Sequence, residues 1–262
     1  MQPYTQDFFK SVDEESLRSA RAFVPLVMNL IQPKRVIDLG CGLGNWLSIF
    51  KEYGVEEILG VDGDYIDLDL LKIPQKHFIQ HDLKKPLKVE QYFDLVVSLE
   101  VAEHLPSESA ENFVDTLVSL GSVILFSAAL PYQPGNSHLN GQWPDYWVSF
   151  FHSRGYIVCD CLRNKVWQNE NVEWWYSQNI FLFVKEAELE KYPLLQQELA
   201  RCNKVPLSVV HPKLYLLQQA IYHSLQERFD PKKMSIRQAA VLFLSVLKNS
   251  LKKSLYRNFL RK

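Results

Sequence analysis

Val36-Ile-Asp-Leu-Gly-Cys-Gly-Leu-Gly-Asn-Trp46 decides the fold of this chain. The stretch opens inside an apolar, β-branched run, Arg35 to Leu39, and then places glycines at Gly40, Gly42 and Gly44 before a segment of helical character. Glycines let the chain turn sharply and let a ligand touch the backbone. A strand, a glycine turn and a helix in that order begin a doubly wound α/β domain. A nicotinamide fingerprint would want a small residue at position 45. Asn45 stands there, which weakens the dinucleotide reading.

Outward from this unit the pattern alternates. Further short apolar runs read as strands at Ile58–Val61, His77–Gln80, Tyr92–Leu99, Val123–Ser127, Tyr156–Leu162 and Asn179–Val184, with helical or loop stretches between them. With Arg35–Leu39 they predict a seven-stranded, mostly parallel sheet. Upstream, Leu17, Ala20, Val24 and Val27 form a helical stripe in Glu14–Ile31, and Pro25 is expected to kink or interrupt that helix. Beyond Glu186 the chain reads as helices at 188–202, 212–229 and 235–258. The expected division is a 1–185 α/β domain and a 186–262 C-terminal helical extension.

Acids end the next two strands. Asp62 follows Gly44 by 18 residues, where a carboxylate can accept hydrogen bonds from both ribose hydroxyls. Asp82 ends the third strand, where a carboxylate can accept from an adenine amino group. Asp64, on the same loop, reads as a solvated turn residue. Ser16 and Ser19 sit on the N-terminal helix, in position to help it lid a cofactor.

These segments together resemble the class I S-adenosylmethionine-dependent methyltransferases. Asp38-Leu-Gly-Cys-Gly-Leu-Gly44 looks like the family's first motif, Gly60-Val-Asp62 like its ribose-binding acid, and Gln80-His-Asp82-Leu like its adenine motif. Phe93-Asp-Leu-Val-Val-Ser-Leu-Glu100 looks like its fourth strand. The resemblance covers about residues 8 to 185. It implies a Rossmann-like sheet with the last strand antiparallel and inserted beside the fifth. It also implies S-adenosylmethionine held by Asp38, Gly40, Cys41, Gly42, Gly44, Asn45, Trp46, Asp62, Gly63, Asp82, Leu83, Leu99 and Glu100.

Methyl transfer is a displacement at a carbon already activated by the sulfonium, so the protein must align the acceptor and exclude water. A hydroxyl acceptor also needs a base or a metal. After the fourth strand comes Leu99-Glu-Val-Ala-Glu-His-Leu-Pro106. The Asn/Asp-Pro-Pro-aromatic motif of the family's DNA-base and glutamine methylases is missing there, which disfavours those substrates. If a helical turn begins at Glu100, then Glu100, Glu103 and His104 share one face. Two carboxylates and an imidazole suit a divalent ion such as magnesium or manganese. A similar Glu-x-x-Glu-His occurs in the ubiquinone-pathway O-methyltransferases and the small-RNA 2′-O-methyltransferases. In the latter a downstream histidine completes the metal site, and the matching residue here is His138. The simpler alternative leaves Glu100 on the cofactor's amino group and makes His104 or His138 a general base.

Five of the six tryptophans fall between Pro131 and Tyr176. The loop after the fifth strand overhangs the ligand edge of such a sheet. Tyr132, His138, Asn140 and Trp143 are therefore expected on the acceptor side, while Trp147, Phe150 and Phe151 read as a helix's core stripe. The run from Phe126 to Trp147 resembles a bacterial branch of methyltransferases associated with glycan assembly, departing from it at Gly141, where related members carry an acid.

Composition is that of a globular protein, and a net charge of −1 calls for neither nucleic acid nor membrane as a global partner. Cys41, Cys159, Cys161 and Cys202 form no C-x-x-C pair, which points to a reducing compartment and the cytoplasm. The exception to the balanced charge is Pro231–Lys262, with nine basic residues and no acid; a basic helix of this kind can touch an anionic membrane weakly. The sequence thus predicts a methyltransferase acting on a hydroxyl of a small molecule or glycan. An RNA 2′-O-methyltransferase and a non-catalytic cofactor-binding scaffold stand as alternatives.

Overall fold

The computed structural model describes residues 6–202, 206–230 and 232–259, with side chains over 13–202, 206–230 and 232–248. In chain order its elements are α1 (Gln6–Ile31), β1 (Arg35–Leu39), α2 (Asn45–Glu52), β2 (Glu57–Asp62), β3 (Phe78–Gln80), β4 (Leu95–Leu99), α3 (Ala110–Leu120), β5 (Val123–Ser127), α4 (Pro144–His152), β6 (Tyr156–Cys159), α5 (Arg163–Val166), α6 (Trp174–Asn179), β7 (Phe181–Lys185), α7 (Pro193–Cys202), α8 (Pro212–Phe229) and α9 (Ile236–Phe259). Contacts divide the chain into two compact units, 1–211 and 212–262.

The first unit is built on one seven-stranded sheet of order β3-β2-β1-β4-β5-β7-β6. β1 to β5 run parallel, and β7 lies antiparallel between β5 and β6. The core follows from a period of two along each strand. Val36, Leu95, Val97, Val123, Leu125, Leu182 and Val184 pack on one face, under α1, α2, α6 and α7. Their neighbours Ile37, Val96, Ile124, Phe126, Phe181 and Phe183 pack on the other, under α3 and α4. Trp147 and Phe151 are buried in that second cluster, as the helical stripe predicts.

Three expectations need correction. Pro25 lies within α1 and does not interrupt it, so of the two outcomes expected there only a kink remains. β4 starts at Leu95, because Phe93 makes only an isolated bridge to Gly121. The unit that carries the sheet does not stop near Lys185: α7 packs its buried Leu195 into the first cluster, and the segment up to His211 hydrogen-bonds back into the fold.

The strand order reverses between β1 and β4, so the carboxyl ends of β1, β2 and β4 open onto one crevice. In the second unit, α8 and α9 match the helices read from the sequence. Among the described residues no helix is long and apolar enough to cross a membrane.

Candidate active site

The crevice is a cavity of about 930 Å³ lined by the ends of β1, β2 and β4, the loops after β3 and β5, and α1 and α6. Gly40, Gly42 and Gly44 all have positive φ, at 84°, 54° and 83°, so this turn is open only to residues that tolerate left-handed backbone. Position 40 carries a second constraint, since a Cβ there would lie 2.2 Å from Cγ2 of Val101. Nothing would crowd a Cβ at position 42, which leaves that backbone open to the cavity. Gly44 caps α2 and rests against Ile73, outside the cavity wall. The other twelve residues that the resemblance implies for the cofactor all line the cavity.

Asp62 is the buried anchor of this half. Its Oδ2 accepts from the Gly42 N–H at 2.7 Å, and its Oδ1 accepts from the Gly63 N–H at 2.7 Å and from the Tyr65 hydroxyl. Burial raises its pKa, and those three donors oppose the rise. The carboxylate thus locks the glycine turn to the end of β2. Asp38, behind it, is buried and held well above the usual carboxylate range by burial and by Asp62. Asp82 is exposed at the opposite rim and forms an ion pair with Lys85 at 3.6 Å. Asp13 and Ser16 of α1 also line the cavity; Ser19 does not, and its hydroxyl instead accepts from the Glu173 N–H at 3.0 Å. Tyr65 and Asp13 escaped the sequence reading because neither belongs to a motif or a periodic stripe.

The second half is formed where the β4 and β5 loops meet. Glu100 does not begin a helical turn. It sits at φ 55°, its N–H donates to the Ser127 carbonyl at 3.1 Å and hydroxyl at 3.0 Å, and the short 3₁₀ turn starts at Ala102. Its carboxylate accepts from Asn179 Nδ2 at 3.0 and 3.2 Å and from Gln133 Nε2 at 3.0 Å. Gln178 donates to Gln133 and Asn179 and accepts from the His211 N–H at 2.8 Å, closing a buried amide cluster behind the cavity wall. Arg163, nearly all buried against Asp160, ties the Gln178 and Leu207 carbonyls together. No local pattern in the sequence reveals this cluster, whose members come from segments far apart in the chain.

Glu103, His104 and His138 are brought together instead. One donor atom from each lies within 4.8 Å of the others, and the two imidazole centroids are 5.0 Å apart. Glu100 is not in this group. The loop that carries His138 is pinned in place because the Leu139 and Asn140 N–H groups both donate to the Glu103 carbonyl, at 2.7 and 2.9 Å. His138 Nδ1 lies 3.0 Å from the Gln133 carbonyl. A carbonyl only accepts, so Nδ1 carries the proton and Nε2 the lone pair. Burial lowers the pKa of both histidines, that of His104 to about 4, so both rings are neutral at pH 7. Of the four residues expected on the acceptor side, only His138 lines the cavity; Tyr132 and Trp143 face solvent, and Asn140 is buried beneath the loop.

Burial also raises Glu103 well above the usual range, with the neighbouring Glu100 adding to the rise, and neither Glu103 oxygen has a hydrogen-bond partner of good geometry. Glu100 is pushed up to about 7 by burial, against its amide donors. The sign of the linkage follows. A carboxyl whose pKa rises on folding favours the fold while protonated, and that contribution is lost as pH climbs from about 4.5 through about 7. For Glu100 it amounts to at most about 3 kcal/mol. His104 and His138, whose pKa values fall on folding, contribute the opposite trend up to about pH 6.5, so the Glu100 contribution is read by difference: the melting temperature of the ligand-free protein relative to that of Glu100→Gln is expected to fall between pH 5 and 8. Equal slopes for the two proteins would remove Glu100 as the cause.

A family model described as a methyltransferase domain matches residues 12–179. No curated protein matches the chain significantly. Among solved structures, a protein assigned as an O-methyltransferase from Nostoc punctiforme is 15% identical with a TM-score of 0.53, over 68% of this chain and 59% of that one. The methyltransferase domain of bacterial CtHen1 is 22% identical with a TM-score of 0.46, over 64% of this chain and 99% of that one. Magnesium protoporphyrin IX methyltransferase from Synechocystis, solved with bound S-adenosylhomocysteine, is 16% identical with a TM-score of 0.47, over 71% of this chain and 90% of that one. At these identities the first likeness concerns the fold alone.

Proposed function

Since the chain belongs to the methyltransferase-domain family, which implies S-adenosylmethionine as methyl donor, we propose that it methylates a hydroxyl of a small molecule or glycan. The observation that carries this reading is the sharing of one cavity by the glycine turn with Asp62 and by the neutral His104–His138 pair. The first half suits the donor and the second suits the acceptor.

In this reading the Gly40–Gly44 turn and Asp62 bind the nucleoside, Asp82 reads adenine from the rim, and Glu100 faces the amino end of the donor. A ring with a pKa of about 4 is a weak base for an alcohol, so His104 alone is poorly suited to deprotonate the acceptor. The lone pair at His138 Nε2, the His104 ring and the buried Glu103 carboxylate together fit a divalent cation. Such an ion, when bound, would supply Lewis acidity that lowers the pKa of an acceptor hydroxyl. Glu100 would not serve as a ligand, because Asn179 and Gln133 already engage its carboxylate. The remaining work falls to the chain itself: the pinned loop orients His138, and α1 with Ser16 helps close the cavity against water.

Asp62→Ala is expected to weaken S-adenosylhomocysteine binding by about 1.5–3 kcal/mol, the range for losing hydrogen bonds to a charged group. Calorimetry reads this directly, and an unchanged affinity sinks the ribose assignment. The function as a whole is tested by label transfer from methyl-tritiated S-adenosylmethionine into fractionated extract of the source cells, with and without chelator. Label in small-molecule or glycan fractions supports the proposal, and its loss on chelation supports the ion. Label in RNA replaces the proposed acceptor, and no label with cofactor binding intact points to a scaffold.

A further inference from the structure

Charge is distributed very unevenly between the two units. Residues 212–262 hold eleven basic and two acidic residues, a net +9, which leaves −10 on residues 1–211 out of the chain's total of −1. The basic unit is also the one that shows apolar side chains to solvent. Leu216 and Tyr222 of α8, and Val241, Phe243, Leu244 and Val246 of α9, are each more than half exposed. Four of these six fall within residues 241–246 of α9, and clustered exposed apolar side chains mark an interaction site.

The pattern along α9 selects what covers it. Val241, Leu242, Phe243 and Leu244 are consecutive and all exposed, and successive helical residues point about 100° apart, so they face every side of the helix. A partner helix covers one stripe and leaves the others wet, whereas a helix sunk about 5–10 Å into the headgroup–acyl boundary keeps its flanks in lipid as well. A second copy would also set two units of net +9 against each other. Nucleic acid would satisfy the charge but not the aliphatic side chains, since its affinity comes from phosphate contacts. Anionic lipid satisfies both. The apolar run Ala239–Leu247 is about 13 Å long at the helical rise, well short of the roughly 30 Å hydrocarbon core, so it cannot cross. It is flanked by Lys232, Lys233 and Arg237 on one side and by Lys248, Lys252 and Lys253 on the other. Both ends of the run thus return to headgroup level.

We propose that residues 212–262 are a membrane-docking module that holds this protein on an anionic lipid surface, with Phe243 and Leu244 among the acyl chains and the exposed Lys232, Lys233, Arg237 and Lys248 among the headgroups. This does not depend on the methyl acceptor or on a bound ion.

The test is co-sedimentation of the full chain with vesicles of phosphatidylcholine alone or with 30% phosphatidylglycerol. Most of the protein is expected to pellet with the anionic vesicles and little with the neutral ones. Binding should weaken several-fold at 1 M salt, where the screening length falls to about 3 Å. Phe243→Asp with Leu244→Asp should lower the anionic partition about tenfold, as should the exposed pair Arg237→Glu with Lys248→Glu, with the circular dichroism of each variant unchanged. No pelleting with anionic vesicles overturns the proposal, and so does equal pelleting with neutral ones. A concentration-dependent dimer in lipid-free ultracentrifugation, abolished by the aspartate pair, would replace it with self-association. Retention on poly(U) without vesicle binding would replace it with RNA.

Discussion

His138→Ala is expected to lower methyl transfer by on the order of 100-fold or more, the usual loss for a positioned base or acceptor-activating ligand. The affinity for S-adenosylhomocysteine should stay within about twofold, because the residues proposed to hold the nucleoside lie on the glycine turn, β2 and the β3 loop, whereas His138 is carried by the loop after β5. That separation of rate from donor binding is the informative readout. Gly135→Ala offers an independent route to the same loss. A Cβ there would fall 2.1 Å from His138 Nε2, so the ring must swing away from the Gln133 carbonyl that fixes its tautomer. Turnover within about threefold of the unaltered protein for both variants would take His138 out of the chemistry.

The second large effect is structural. Gly40→Ala is expected to cost about 3 kcal/mol of stability in the first unit, together with donor binding. Two terms make it up: about 1–2 kcal/mol for a side chain in left-handed backbone, and about 1–3 kcal/mol for forcing a methyl into Val101. Gly42→Ala is the internal comparison. It has the same sign of φ but open space around the new Cβ, so it should keep only the backbone penalty. Thermal unfolding of the two variants separates the terms. Equal losses would mean that contact with Val101 contributes nothing.

What the sequence revealed and what it hid divide along a physical line. The central strands β1, β4, β5 and β7 were legible because each is a short apolar run buried on both faces, and the glycine turn was legible because its backbone tolerates little else. Asp62 could be placed because strand length and a helical crossover fix its distance from the glycines. Glu100 could not. Its inclusion with Glu103 and His104 assumed helical spacing, and the left-handed backbone at Glu100 breaks that spacing by one residue's turn. The partners of Glu100 were invisible for a related reason: Gln133, Gln178 and Asn179 converge through the crossing of a loop with α6, and such pairings leave no periodic mark. Tyr132 and Trp143 were expected at the acceptor because they are aromatic and near the right strand, but the loop reverses direction at the left-handed residues Tyr132 and Ser137 and aims His138 inward instead.

The insertion of β7 between β5 and β6 bears on how the chain is made. Synthesis delivers β5 with one edge bare, and the strand that closes that edge is the last of the seven to emerge. Until then a row of unpaired backbone groups on a very apolar strand is available to any neighbouring nascent chain. β6, although it arrives first, cannot cover β5, since it bonds only to β7. β6 and β7, joined through α5 and α6, therefore complete the sheet last and across a long stretch of chain, which is expected to make this the slow step of assembly. The segment from α7 through α9 gives that step time, because its translation keeps the polypeptide tethered while β7 finds its slot.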